Sequence, residues 1–566
     1  MAVGEDEVNL WSPFTSDTIL EVRSGKLKKF KGLNIESGID KSLLSGRVYI
    51  GKLGIDGDEH DLTFHGGPDK AVHGYCCTHY PSWASEFPTA SSRFVPGGFG
   101  ENLVTAHMNE RNVCIGDIVA IGPDPSTGPL LQVSLPRQPC FKLNHRFELK
   151  NFAPNTWRLS RTGWYYRVLR EGWVSAGDEI RLVERRHPRW TIERVQEYLH
   201  RNTGVLAVNE ELAGIEEFGK ESHDAFAGRV ARQKAKERRE REGKDGDEER
   251  QWRDFRIVEK TRQTGRITSF VLEAVDKVAE AELDEGAHAK IRLPAPSGGG
   301  GGQPLVRAYS VVSGDKNRLE LGIALDEHSR GGSRYLHETA AVGDVLQVGR
   351  LTSMALLTSA SCHVFVAGGI GITAFLNLLA ELRRFNFAAK LHYAVRSQDD
   401  IPFRDRIEAL GPDVVTIYDR QAGQRLCIRQ VIRDMPWNSR LYFCGSTRLM
   451  DEALRETQAA GIGPEEVHFE AFAAETSGDP FEAVVANRDE EVVKVDGEET
   501  LLEVLQRRFG VDQIPSSCEV GNCGTCKIRL KAGRVDHRGT ALTEEEKADS
   551  ILSCVSRGVG RITVEL

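Results

Sequence analysis

Four cysteines towards the C-terminal end, Cys518, Cys523, Cys526 and Cys554, have the type and spacing to hold an iron–sulfur cluster. The segment PSSCEVGNCGTCKIRL gives C-x4-C-x2-C, and ILSCVSR supplies the fourth cysteine, which is the plant-type [2Fe–2S] arrangement. Four thiolates must converge on two irons, and Gly521 and Gly524 let the loop wrap with its amides facing the sulfides. Zinc also takes four cysteines, but its sites pair one C-x2-C with another, whereas here the fourth cysteine is alone and distant. A second group is Gly368-Gly369-Ile370-Gly371-Ile372-Thr373-Ala374, which follows an apolar strand and opens a helix. That is the setting in which a glycine turn presents its amides to a dinucleotide.

Positioning these groups takes more than one core. At about 100–200 residues per domain, 566 residues imply three to five domains. Short β-branched runs such as Arg47–Ile50, Val113–Ile121 and Leu130–Leu135 predict a mostly β domain over 30–185. From His187 to about 227, WTIERVQEYLH and VNEELAGIEEF predict a small domain of two or three helices. Residues 228–252 are nearly all charge and read as a solvated tether with a helical first half. Strands near Phe255–Glu259, Ile267–Ala274 and Leu319–Leu325 predict a barrel over 253–355, with the Ser297–Gly302 run as a hairpin tip. CHVFVAGG, TAFLNLLAELRRF and KLHYAV make a βαβ unit, hence a parallel sheet over 358–472. Short strands return around the clustered cysteines over 481–566. The fold class expected is multidomain α+β.

The net charge is −9 with no large basic block, which argues against nucleic acid as a partner. No run of about 18 apolar residues is present to span a membrane, and the start MAVGEDEVNLWSPF has no secretory or mitochondrial character. Eleven cysteines, unevenly placed, suit a reduced compartment, so a soluble cytoplasmic protein is expected. Cys76, Cys77, Cys114, Cys362 and Cys427 are expected to be packing residues.

Arg307-Ala-Tyr309-Ser310, followed by Arg330-Gly331-Gly332-Ser333, resembles the flavin motif of the ferredoxin–NADP reductase superfamily with its phosphate loop downstream. The physical logic agrees: Arg pairs with phosphate, a Tyr ring packs on isoalloxazine, and a Gly-Gly-Ser turn offers amides to an anion. Phe443-Cys444-Gly445 and Glu470-Ala471-Phe472 resemble the superfamily's nicotinamide-side motifs. Arg396-Ser397 follows the second strand in place of the carboxylate expected at a ribose, with Asp399 and Asp400 slightly later, so NADH and NADPH both stay open. The order flavin barrel, nucleotide domain and C-terminal ferredoxin resembles the phthalate dioxygenase reductase family throughout 253–566, including Asp536–Arg538 and Cys554–Arg557. That resemblance implies FMN, NAD(P)H and a β-grasp plant-type ferredoxin domain.

In the N-terminal part, Gly57-Asp58, the stretch His65 to Val72, Phe99-Gly100-Glu101-Asn102-Leu103, Pro136 to Leu143, Arg161 to Tyr165 and Gly177-Asp178 appear in order. Together they resemble the MOSC domain, related to the C-terminal domain of molybdenum cofactor sulfurase and nearest to the bacterial branch that reduces hydroxylaminopurines. The resemblance implies a molybdenum–pterin cofactor, which needs a soft thiolate for the metal and cations for its phosphate. Cys140 fits the thiolate; His65, Lys70 and Arg137 fit the anion, with Asn102 beside them. The implied chain of electrons runs from NAD(P)H to FMN, to [2Fe–2S], to molybdenum, reducing small N-hydroxylated compounds. The alternative is a reductase that serves an external acceptor, a separate oxygenase or demethylase, with the MOSC domain as a docking or sulfur-carrier module.

Overall fold

The computed structural model describes residues 13–61, 66–241, 252–279, 282–283, 286–294, 305–326, 331–352, 360–463, 466–472, 476–510, 513–516, 519–521, 524–539, 541–543 and 545–566. The expectations for His65, Arg330, Cys518, Cys523 and the Ser297–Gly302 run lie outside these residues. Among the described residues no helix is long and apolar enough to cross a membrane.

The N-terminal part is built on a nine-stranded, mainly antiparallel sheet. Its middle strands Leu130–Pro136 and Trp164–Arg170 pair antiparallel. Trp164, Tyr166 and Val168 alternate inward, the period-two pattern of a half-buried strand. One expectation is corrected here. Val113–Ile121 is not a single strand; only Ile118–Ile121 is. The Asp117 carboxylate accepts from the Cys114 amide at 2.8 Å and closes a turn, a habit of Asp that outcompetes extended backbone. Helices Ile192–Gln196, Leu206–Ala213 and Lys220–Arg241 follow, and Val195, Leu212 and Phe226 pack on the same core as the sheet. The last helix carries the charged stretch as far as Arg241.

Arg253–Arg262 opens a closed six-stranded barrel that ends at Val345–Thr352. Next comes a five-stranded parallel sheet in the order Val415–Asp419, Ala389–Val395, Cys362–Gly368, Ser439–Cys444, Val467–Glu470. Its central strand is apolar along nearly its whole length because helices cover both faces. A five-stranded mixed sheet with the helix Leu501–Phe509 completes the chain. Thr500 and Glu503 form a reciprocal capping box that starts that helix.

The two halves share apolar surface. Phe30, Leu33, Ile35 and Phe141 belong to one buried cluster with Val364, Val366, Leu441 and Phe443 of the parallel sheet. Phe141 stacks on Phe387 at 5.1 Å, and Asn34 Nδ2 donates to the Ala389 carbonyl at 2.9 Å. The charged stretch is therefore not the sole connection between them.

Candidate functional site

The N-terminal sheet ends in a cavity of about 550 Å³, counted out to its open mouth. Cys140, Arg137, Lys70 and Asn102 all line it, so the structure brings together residues 70 positions apart in the chain. Cys140 is half-buried and a free thiol. It immediately precedes the helix Phe141–Phe147, whose Phe141 is the residue stacked on Phe387. Arg137 is 3% exposed, and its Nη1 has no hydrogen-bond partner among the described residues. A buried guanidinium nitrogen left without an acceptor is rare and suits an anion in the cavity. Lys70 is ion-paired with Glu221 of the last helix of the helical domain and sits 6.0 Å from the Tyr165 ring centre.

Asn102 plays a different part from the one its position in the sequence suggested. Its Oδ1 accepts from the His73 amide at 3.0 Å, while its Nδ2 donates to Asp58 at 2.7 Å and to the Arg23 carbonyl at 3.1 Å. Its amide is engaged within the protein and shapes the wall. Sequence reasoning gave no role to further charged and imidazole groups of the lining: Lys41, Glu59, His60, Asp61, His73 and Lys142. Lys41 bonds to Asp58 at 2.5 Å, with side chains 4% and 0% exposed. Burial works against the Asp58 charge, yet His60 at 3.1 Å and Lys41 outweigh it and hold the carboxyl at about 2. Burial and the Arg137 charge push the His73 imidazole down to about 3, so it is neutral at physiological pH. Apart from Lys142, two residues after Cys140, these groups carry no local signal, because they come from segments distant in the chain, His73 from the strand Val72–Cys76.

Arg307, Tyr309 and Ser310 lie on the barrel strand Leu305–Asp315. Gly331 takes φ +102°, and a Cβ on Gly332 would stand 3.0 Å from Arg307 Cγ, so the Gly-Gly turn is pressed against that arginine. Ser333 Oγ accepts from the Asp326 amide at 3.3 Å. Across from them, Glu470 ends the strand Val467–Glu470 and is 5% exposed. Its Oε1 accepts from Ser310 Oγ at 3.0 Å and pairs with His288 Nε2 at 2.9 Å, tying barrel to parallel sheet. Burial opposes the Glu470 charge, but His288 outweighs it and holds the carboxyl at about 2. His288 was not singled out from the sequence, since a lone histidine on a barrel strand has no pattern around it. Phe472 lies beyond the strand, 39% exposed.

The glycine turn is a 3₁₀ segment, Gly369–Ala374, leading into the helix Leu376–Arg384. Gly369 takes φ +55°, and a Cβ on Gly371 would fall 2.3 Å from the Cys444 carbonyl oxygen. A Cβ on Gly445 would stand 3.3 Å from Gly368 Cα, so two backbone segments pass each other where glycine fits best. Burial, with Glu470 nearby, pushes the Cys444 thiol well up and keeps it protonated. Thr373 is 2% exposed and its hydroxyl donates to the Ile370 carbonyl at 2.9 Å, closing its own turn.

Of the four cysteines expected at the cluster, Cys526 and Cys554 are among the described residues. Both are buried, with sulfurs 3.1 Å apart and no disulfide between them. Gly521 at φ +80° packs on Gly539, and a Cβ there would meet its Cα at 2.8 Å. That leaves room for a loop to close over a compact inorganic core. Cys427 departs from the packing role expected of it: it is exposed, just before the helix Ile428–Asp434.

Comparison with known proteins agrees with this geometry. Residues 61–181 match the MOSC domain, residues 484–558 the 2Fe-2S iron-sulfur cluster binding domain, and residues 350–467 the DmmA-like N-terminal domain of dimethylamine monooxygenase subunits. A protein named reductase from Gibberella moniliformis is 35% identical, over 97% of this chain and 95% of its own length. The carnitine monooxygenase reductase subunit of Escherichia coli is 33% identical, over 53% of this chain and 93% of its own. Protein YiiM of Escherichia coli is 39% identical, over 29% of this chain and 72% of its own. Flavin, pyridine nucleotide and a [2Fe–2S] cluster are thus the cofactors of the C-terminal half. The chain belongs to the phthalate dioxygenase reductase-like iron–sulfur flavoprotein oxidoreductases, in a form that carries a MOSC domain ahead of the reductase.

Proposed function

We propose that this oxidoreductase is self-sufficient: NAD(P)H electrons pass through FMN and [2Fe–2S] to a molybdenum cofactor in the N-terminal cavity, where small N-hydroxylated compounds are reduced. The observation that carries the reading is the cavity itself. A free thiol, Cys140, shares it with a buried Arg137 nitrogen that has no partner among the described residues, and with Lys41, Lys70 and Lys142. A soft sulfur ligand next to concentrated positive charge is what a metal held by a phosphate-bearing pterin requires. In this reading Cys140 is the metal ligand and Arg137 and Lys70 face the phosphate. The group, when bound, supplies a centre able to deliver two electrons and accept an oxygen atom. The chain's own residues would hold it, with His73 kept neutral by burial beside Arg137.

In the reductase half, Arg307 with Gly331, Gly332 and Ser333 would take the FMN phosphate, and Tyr309 and Ser310 would take the ring. Gly368, Gly369, Gly371 and Thr373 would shape the nucleotide turn, with Cys444, Gly445, Glu470 and Phe472 on the nicotinamide side. Cys518, Cys523, Cys526 and Cys554 would ligate the cluster. A flavin accepts a hydride's two electrons together and releases them singly, which suits a one-electron cluster downstream.

Metal analysis of the purified chain tests the reading, with molybdenum expected near one per chain. Cys140→Ser should abolish reduction of 6-hydroxylaminopurine while cytochrome c reduction through flavin and cluster continues. Heat-released flavin should run as FMN. Undiminished hydroxylaminopurine reduction by Cys140→Ser would reject the molybdenum assignment. A second reading, delivery of electrons to a separate oxygenase, is supported by the relatives named as monooxygenase and dioxygenase reductase subunits. It predicts full activity with an external acceptor and no molybdenum.

A further inference from the structure

One edge strand of the parallel sheet and its neighbour end in charges that the fold does not use. The sheet runs Val415–Asp419, Ala389–Val395, Cys362–Gly368, so the second strand lies beside the glycine turn, and Tyr393 Oη on it donates to the Gly369 carbonyl at 2.8 Å. In open α/β sheets ligands bind outside the carboxyl ends of the strands. Cys444 and Glu470 end the strands on the other side of the glycine turn. With the nicotinamide on that side, the adenosine end of a dinucleotide falls over Val395 and Asp419. There a carboxylate selects a free ribose 2′-hydroxyl, and an arginine accommodates a 2′-phosphate.

The residues that follow these two ends are Arg396 and Arg420. Val395 and Asp419 are register partners, and the pairing continues one step further. The Arg420 amide donates to the Val395 carbonyl at 3.1 Å and the Gln421 amide to the Arg396 carbonyl at 3.0 Å. Neighbouring strands run about 4.8 Å apart, so the two arginines stand side by side. Both are exposed, and neither side chain has a hydrogen bond or ion pair with a described residue. Like charges opposite one another in a sheet are destabilising, and an anion shared between them removes that penalty. The nearby acids are engaged elsewhere. Asp419 is 6% exposed; its Oδ1 accepts from the Gln421 and Ala422 amides at 2.9 and 3.2 Å, and its Oδ2 from Gln398 Nε2 at 3.2 Å. Asp400 accepts from Ser397 Oγ at 3.3 Å, and Asp399 lines a polar cavity with Gln263 and Glu320 on the barrel side.

Resting on the placement of the nucleotide turn given above, we propose that this reductase selects NADPH over NADH, with Arg396 and Arg420 holding the adenosine 2′-phosphate between them. A guanidinium offers phosphate oxygens paired N–H donors in a fixed fork, and two forks from adjacent strands grip one phosphate from two sides. The 2′-phosphate is the one group by which the two nucleotides differ. Selection at the adenosine end decides which donor binds and leaves hydride transfer at the nicotinamide end to other residues. The sequence left the choice open because Arg396 alone reads as a surface residue. Arg420, 24 positions later, reaches it only through the register of the sheet.

The test compares cytochrome c reduction by the full-length holoprotein with each nucleotide. The parent's kcat/KM should favour NADPH by roughly 100-fold, since two charge-assisted contacts are at stake. Combining Arg396→Ala with Arg420→Ala should erase most of that ratio, chiefly through a raised KM for NADPH. The readout is a ratio taken on one preparation, so partial loss of flavin or cluster cancels from it. Titration calorimetry adds a measurement that needs no turnover. Adenosine 2′,5′-bisphosphate should bind the parent roughly tenfold or more tightly than 5′-AMP, and the double variant should lose that advantage. Equal or better use of NADH by the parent, or equal binding of the two adenosine nucleotides, overturns the inference and leaves the nucleotide turn standing. A preference for NADPH that survives the double variant overturns the assignment to these arginines. Binding of neither adenosine nucleotide removes the placement of the turn, and this inference with it.

Discussion

Burial decides how single residues behave in the cavity wall. His73 is 3% exposed and its imidazole sits at about 3, against an ordinary 6.5, because burial and the Arg137 charge both disfavour its protonated form. Between pH 6.5 and 3 the unfolded chain binds a proton there that the folded chain does not. Stability is therefore complete above pH 6.5 and falls as pH drops, by about 1.4 kcal/mol per pH unit. Scanning calorimetry from pH 7.5 to 5 should show the transition of the N-terminal half moving down, and His73→Gln should flatten that slope. An unchanged slope in the variant would mean another group carries it. His73 was not legible in the sequence: its consequence comes from Arg137, 64 positions away, and from the sheet that closes over both. Cys140 and Arg137 were legible because they stand three apart in one loop. Asn102, expected at the cofactor, lines the cavity, and its bonds to Asp58 and His73 emerge only from residues distant in the chain.

At the scale of elements, the glycine turn shows what a pattern can and cannot carry. Its place between an apolar strand and a helix was readable from periodicity. The identity of its tightest contact was not, because the Cys444–Gly445 segment arrives from a strand more than 70 residues later. Gly371→Ala would place a methyl 2.3 Å from the Cys444 carbonyl oxygen, and backbone rather than a flexible side chain would have to move. Such overpacking costs about 1–3 kcal/mol. It should appear as a slower hydride transfer, by roughly tenfold or more, in stopped-flow reduction of the flavin by NAD(P)H. The flavin content of the variant should match the parent, since Arg307 and the Gly331–Gly332 turn lie on other elements. Parental rates in Gly371→Ala would argue that the nucleotide does not use this turn. The strand expected over Val113–Ile121 failed for the opposite reason: its β-branched residues pointed to extended chain, and Asp117 imposed a turn that no strand propensity reports.

On the scale of the whole molecule, the order of domains follows from composition and motif, whereas their arrangement does not. The charged stretch around 228–252 read as a tether, and a tether says nothing of what lies against what. The apolar residues that join the halves, Phe30, Leu33, Ile35 and Phe141, look in the sequence like ordinary core of the N-terminal part. Only the structure shows them buried in one cluster with residues of the parallel sheet, with Asn34 and Asn386 each bonding across to a backbone carbonyl of the opposite half. If this contact holds the molecule together, the tether can be cut. A protease site introduced between residues 242 and 251 and cleaved after purification should leave both fragments in one peak on size exclusion. Leu33→Asp combined with Phe141→Asp buries two carboxylates in the apolar cluster, each at a cost of several kcal/mol unless the contact opens. The cleaved double variant should therefore separate into two peaks, while the reductase fragment keeps its cytochrome c activity. Separation of the cleaved parent would show that the contact is too weak to hold the two halves together without the tether.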